Sequence, residues 1–253
     1  MRYLILLTAF AIFASLLCSC GDGGEYEITD DGVYYTYWTF SFGTRHDPLP
    51  DADPSTFESV KDWLGKDSRH VYFKENLIDG ADPSTIKADK YPLSHDARDY
   101  YYEASALHVV DLASFKVLHR NRFDDDIWAI DSRCAYYDSI RIAGVDVATF
   151  EVVNFAWARD KARVYRFGKV LDGADPATYK EDTESGYGTD KSHVWYYGTL
   201  LPDVDRASFT IDNVHEDIAH DKYGAIINGR REGTDPDETE PEPVPEDSIL
   251  PQP

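Results

Sequence analysis

Cysteine, methionine and basic residues are scarce in this chain. Cys18, Cys20 and Cys134 are the three cysteines. Two of them stand at the end of an amino-terminal apolar run, so the remainder cannot hold a disulfide framework. Lys and Arg total 25 against 47 Asp and Glu, a net charge of −22. That deficit excludes general nucleic-acid binding, which needs a basic face, and charge-driven adsorption to anionic lipid. There is no His-Glu-x-x-His pair, no Cys/His cluster, no Gly-x-Ser-x-Gly elbow and no phosphate-binding glycine loop. The usual signatures of a zinc site, a serine nucleophile or a nucleotide site are therefore missing. Aromatics, by contrast, are plentiful. Eighteen Tyr, 12 Phe and 5 Trp against one Met point to strands rather than helices.

The two ends differ from the middle. Arg2 precedes an almost wholly apolar run over residues 3–17, followed by Cys18-Ser19-Cys20-Gly21. The run is short for a membrane span, which needs about 20 residues, and has signal-peptide length. Leu17-Cys18-Ser19-Cys20 resembles a bacterial lipobox, with Cys18 standing where Ala, Ser, Thr, Val or Ile is usual. The expectation is a lipoprotein signal over 1–19, lipidation at Cys20 and a flexible tether over 20–30. From residue 233 onward come six of the thirteen prolines, seven acids and no base. Such a segment forms neither a helix nor a central strand, and like charges extend it. Residues 233–253 read as a disordered acidic tail.

Between the ends, residues 31–232 read as a repeat. An Asp preceding Pro-x-Thr-Phe or its variants recurs at Asp53, Asp82, Asp111, Asp146, Asp175 and Asp205, at spacings of 29 to 35 residues. A second series, Asp67, Asp96, Asp131, Asp160 and Asp190, keeps step 15 residues ahead of the next member of the first. Three residues before each of these lies a large apolar residue (Leu64, Leu93, Trp128, Trp157, Tyr187), and after it a small one (Gly65, Ser94, Ala129, Ala158, Gly188). Five residues after each turn Asp stands an aromatic: Tyr72, Tyr101, Tyr136, Tyr165 or Trp195.

The first series reads as helix N-caps. Asp82-Pro83-Ser84-Thr85-Ile86 sets a carboxylate at the cap and proline at the first helical position. Ala81 and Ile86 then form a hydrophobic staple across it. The second series opens turns between aromatic strands, where Asp accepts a nearby backbone N–H. The predicted fold is all-β with short helical turns. It comprises about six repeats of ~30 residues, each a three-stranded meander plus a capped helical turn. They stack as an open solenoid, with a closed β-propeller as the alternative. Common propeller repeats, at ~40–45 residues, are longer.

The pattern Asp-Lys-x-x-Val-Tyr-Tyr, then Gly-Lys-x-Leu, then Gly-Ala-Asp-Pro-x-Thr-Phe resembles the DKNYY repeat family. Asp160 to Tyr179 and Asp190 to Phe209 are the nearest copies. Asp67-Ser68-Arg69 and Arg166 depart from it. The resemblance implies a bacterial envelope protein of unknown activity and supplies no catalytic residues.

Candidate chemistry is sparse. Calcium could be sought at Asp79 with Asp82, at Asp172 with Asp175, or at Asp124-Asp125-Asp126. None matches the spaced calcium loop, and caps and turns account for most of these acids. The expectation is no cofactor. Cys134 reads as a small core residue. More aromatics are present than one alternating face needs, so Tyr35, Tyr37, Tyr100, Tyr102 and Tyr197 are candidate binding rings. The expected role is an envelope-anchored binding or scaffold module for a protein or glycan, with no nucleic-acid partner. A glycan hydrolase with a carboxylate site between repeats is the alternative.

Overall fold

The computed structural model describes residues 23–233, except 50, 122–124 and 183. The expected signal over 1–19, Cys20 and nearly all of the expected acidic tail lie outside the described residues. Within them the protein is all-β, built of small antiparallel sheets, none closed into a barrel. Sheet 1 has three strands: Glu25–Thr29, Gly32–Thr39 and Gly43–Pro48. Six four-stranded sheets follow: sheet 2 over 58–77, sheet 3 over 87–106, sheet 4 over 116–142, sheet 5 over 151–170, sheet 6 over 180–200 and sheet 7 over 210–231. The chain divides into two compact units, Met1–His108 with sheets 1 to 3 and Val109–Pro253 with sheets 4 to 7.

Several expectations are corrected. Glu25–Thr29, within the segment expected as tether, is a strand that pairs along Gly32–Thr39. The 31–232 segment is divided between two compact units. Each later sheet has four strands. The extra strand directly follows the Asp-Pro turn, as with Glu151–Val152 pairing Trp157–Arg159. The expected helical turns are single turns closed by bonds such as Thr149 N–H to Asp146 O at 3.1 Å. Among the described residues only Leu112–Ser114 forms a 3₁₀ helix. A cap and a staple do not repay helix nucleation when a strand begins one residue later. The staple pairs do pack together: Ala81 with Ile86 and Val145 with Phe150 share core clusters.

The turn aspartates close each sheet. Asp160 is buried in the turn between Trp157–Arg159 and Val164–Arg166. Its Oδ1 accepts the N–H groups of Ala162 at 2.7 Å and Arg163 at 2.8 Å. Its Oδ2 accepts the Tyr165 hydroxyl at 2.7 Å and the N–H of Asp146 at 3.0 Å. The same clasp joins Asp96 to Asp82, Arg98 and Tyr101, and Asp131 to Asp111, Arg133 and Tyr136. Asp67 and Asp190 hold their turns and take the N–H of Asp53 and Asp175 without a tyrosine hydroxyl. At the carboxyl end Asp221 clasps Asp205, with Arg231 in the tyrosine's place. Each turn Asp thus serves the cap Asp upstream of it. A buried carboxylate is tolerated because its lone pairs are filled.

This geometry explains other columns. Lys161 pairs with Asp146, Lys191 with Asp175 and Lys222 with Asp205, so the lysine after the turn Asp returns to the cap. The small column is small because an aromatic lies on it: Phe57 covers Gly65 and Tyr179 covers Gly188, where a Cβ would collide with the ring. The hairpin joining the third and fourth strands of each four-stranded sheet turns through a residue with positive φ, including Phe167 (46°) and Tyr197 (45°), followed there by Gly168 and Gly198. Such two-residue turns match the strand twist.

Candidate functional site

The five candidate rings do not form one face. Tyr35 is only 2% exposed and packs on Tyr26 at 5.2 Å, with its hydroxyl accepting the Gly24 N–H. It is a core residue, because alternation turns it inward together with Val33. Tyr37 is half-buried, and its hydroxyl donates to Asp47 at 2.8 Å. Tyr100 stacks on His95, and Tyr102 is half-buried in the same strand. Tyr197 is exposed, but the Arg166 guanidinium lies 5.4 Å from its centroid. Among the described residues no group of three or more His, Cys, Asp or Glu side chains could hold a metal ion. Cys134 is buried, and burial pushes its thiol up.

The more promising site lies in the second unit, between sheets 5 and 6. A groove of about 430 Å³ is lined by residues 151–154, 157–159, 164 and 179–181. Its apolar lining comes from Val152, Val153, Val164, Trp157 and Tyr179, and its polar lining from Glu151, Asn154, Arg159, Lys180 and Glu181. Trp157 and Tyr179 pack at 4.9 Å between centroids.

Two buried polar atoms at this groove lack a partner. Trp157 is 3% exposed, and its Nε1–H has no hydrogen-bond partner among the described residues. Trp128 holds the same repeat position in sheet 4, and its Nε1 donates to the Phe155 carbonyl of sheet 5 at 2.9 Å. Tyr187, one sheet on, donates its hydroxyl to the Asp217 carbonyl of sheet 7 at 3.0 Å. The pattern of donation to the next sheet breaks only at Trp157 among these three. The Tyr179 hydroxyl beside it is likewise buried and unpartnered. A buried donor left unpaired costs about 1–3 kcal/mol, so an acceptor that reached either atom would relieve that cost.

Glu181 supplies the third polar group. Burial pushes its carboxyl up to about 7, against the opposing pull of the Arg166 guanidinium and a hydrogen bond with the Asn154 side chain. Asn154 is held in place by accepting the N–H groups of Ala156 and Trp157, both at 2.9 Å. Glu151, the other acid of the groove, is committed to Arg159 at 3.0 and 3.1 Å. The groove therefore presents one carboxyl that burial holds well above the usual range and one acid paired with Arg159. Arg166 braces the wall: it donates to the Tyr197 carbonyl at 3.1 Å and lies over Phe167 at 4.6 Å.

Trp157 figured in the sequence only as a packing column, and Glu181 was missed. A signal for Glu181 existed. Six residues after each cap Asp stand Ser59, Ala88, Val117, Val152, Glu181 and Ile211. One acid in a column otherwise small or apolar marks a sheet whose inner face does something different.

No curated protein and no solved structure matches the chain. The DKNYY family model matches residues 26–185, which span sheets 1 to 5 and reach into sheet 6. With the turn-Asp clasp and its tyrosine repeated in sheets 3 to 5, the chain belongs to the DKNYY family.

Proposed function

We propose that the protein is a lipid-anchored component of the bacterial cell envelope that works as a binding or scaffold module, with its ligand seated in the groove between sheets 5 and 6. In this reading Cys20 carries the lipid, and about six repeats of ~30 residues stack as an open solenoid that displays the groove. The observation that carries the binding site is the pair of orphaned donors, Trp157 Nε1 and Tyr179 Oη, at the groove that also holds Glu181. A ligand rich in hydroxyls offers acceptors to both donors and a donor to the Glu181 carboxylate, while its apolar faces rest on Val152 and Val153. That chemistry favours a glycan over a polypeptide. Glu181 also supports a second reading, glycan hydrolysis, because a carboxyl with a raised pKa can protonate a leaving oxygen.

A panel of envelope oligosaccharides, read by fluorescence anisotropy, tests the proposal. The native chain should bind at least one. Trp157→Phe and Glu181→Gln should each weaken it about tenfold, the equivalent of one hydrogen bond worth about 1.4 kcal/mol. New reducing ends that vanish in Glu181→Gln would move the assignment to hydrolase. A folded chain that binds no oligosaccharide would end the glycan reading.

A further inference from the structure

The hairpin of sheet 1 ends in aromatics that the fold does not bury. Trp38 is 64% exposed, Phe40 94% and Phe42 77%, all at or beside the turn joining Gly32–Thr39 to Gly43–Pro48. Trp38 and Phe40 meet edge to face at 6.0 Å. Most other rings of this protein pack in cores, as with Tyr35, Tyr72 and Trp128. Exposed apolar surface gathered at one tip marks a contact. The charge pattern agrees. Residues 32–46 contain no Asp or Glu in a chain that carries 47.

The register says what the tip faces. Glu25 pairs with Thr36 and Thr29 with Gly32, so the chain entering sheet 1 comes from the Trp38 end. Gly24, the preceding residue, is bonded through its N–H to the Tyr35 hydroxyl. Cys20 lies five residues before Glu25, a reach of at most about 18 Å. Phe40 lies four residues beyond Thr36, roughly 13 Å along the strand. A lipid on Cys20 and the aromatic tip can therefore meet one surface together.

We propose that the Trp38–Phe40–Phe42 tip inserts into the interfacial layer of the bilayer that holds the Cys20 lipid, as a second membrane anchor. The inference rests on the lipid-anchor reading above. Tryptophan settles at the membrane–water interface, where its ring is buried and its N–H stays wet. An acid-free tip approaches an anionic surface with little repulsion, which the rest of this chain would not. A second contact also strengthens retention and fixes the orientation of sheet 1 on the membrane.

The test uses the full chain, purified from bacterial membranes and reconstituted into phosphatidylcholine vesicles with and without brominated acyl chains. Intact mass first reports whether Cys20 carries lipid. Tryptophan emission is then compared between the native chain and Trp38→Phe, so that the difference isolates Trp38 from Trp63, Trp128, Trp157 and Trp195. The proposal expects most of Trp38's share of the emission to be lost to brominated lipid. Phe40→Ser/Phe42→Ser should restore it while the chain still floats with the vesicles. A lipidated, vesicle-bound chain with unquenched Trp38 overturns the tip proposal alone, and leaves the tip to a protein partner. An unmodified Cys20 overturns the anchor and the tip proposal with it.

Discussion

Replacing Asp160 with alanine removes one carboxylate and four hydrogen bonds at once. The N–H groups of Ala162 and Arg163 lie in an exposed turn and can turn to water. The Tyr165 hydroxyl belongs to a fully buried ring, and the Asp146 N–H is half-buried. These two donors carry the loss. Bonds to a charged acceptor are worth about 1.5–3 kcal/mol, and unpaired buried donors cost about 1–3 kcal/mol. The expected destabilisation is about 3–5 kcal/mol. In a folding unit of this size it lowers Tm by roughly 6–20 °C. Thermal unfolding followed by circular dichroism reads it directly. In the Asp160→Ala background Tyr165→Phe should cost less than in the native chain, because its hydroxyl has already lost its acceptor. Acid should mimic the substitution. Burial raises the Asp160 carboxyl, but the N–H groups of Asp146, Ala162 and Arg163 and the Tyr165 hydroxyl lower it further, for a net fall. A depressed folded value contributes stability that is complete above the unfolded value of about 3.9 and is lost as pH falls through the folded one. A shift under about 1 kcal/mol, or equal Tyr165→Phe effects in both backgrounds, would refute the clasp as a source of stability.

The same structure implies three further outcomes. Glu181 has the opposite sign: its raised value means that its contribution is full below about 4.3 and is lost as pH rises through about 7. Glu181→Gln should therefore raise the urea midpoint relative to the native chain at pH 8 but not at pH 4. An equal offset at both values contradicts the burial of that carboxyl. Gly188→Ala would drive a Cβ into the Tyr179 ring, costing about 1–3 kcal/mol. Tyr179→Leu should recover part of this loss, and a neutral Gly188→Ala would disprove the contact. Calcium against chelator should leave Tm unchanged, since the cap and turn acids are already engaged by backbone and hydroxyl donors. A calcium-dependent rise of several degrees would reopen a metal site.

Much of the architecture was legible in the sequence, because a repeat shows its structural demands several times over. The small column at Gly65 and Gly188 and the aromatics at Tyr101, Tyr136 and Tyr165 could be read as packing and turn positions. Which aspartate served which could not. Asp67 lies 14 residues after Asp53 and 15 before Asp82, so spacing alone supports either pairing. Only the meander, which folds the chain back between Asp53 and Asp67, decides it. The extra strand after the Asp-Pro turn was hidden because it is short, only two residues at Lys87–Ala88, Glu151–Val152 and Lys180–Glu181, too few to show alternation. The helical turns were over-read because a cap and a staple are local signals, whereas continuation of a helix depends on the residues beyond them. Tyr35 was misplaced because a run of aromatics was counted before it was split into its two faces. The groove was the least legible feature. It depends on one hydrogen bond that Trp128 makes and Trp157 does not, a difference between two identical residues in the same column.

The most direct test of the binding assignment is photo-crosslinking in intact cells from Val153, which lines the groove and is 57% exposed. The control position is Tyr223, an exposed residue in the turn between the second and third strands of sheet 7. The account predicts one dominant glycan adduct from Val153, absent from Tyr223 and lost when Trp157→Phe and Glu181→Gln are introduced together. The same adducts from both positions, or none from Val153 in a folded, correctly delivered chain, would contradict it.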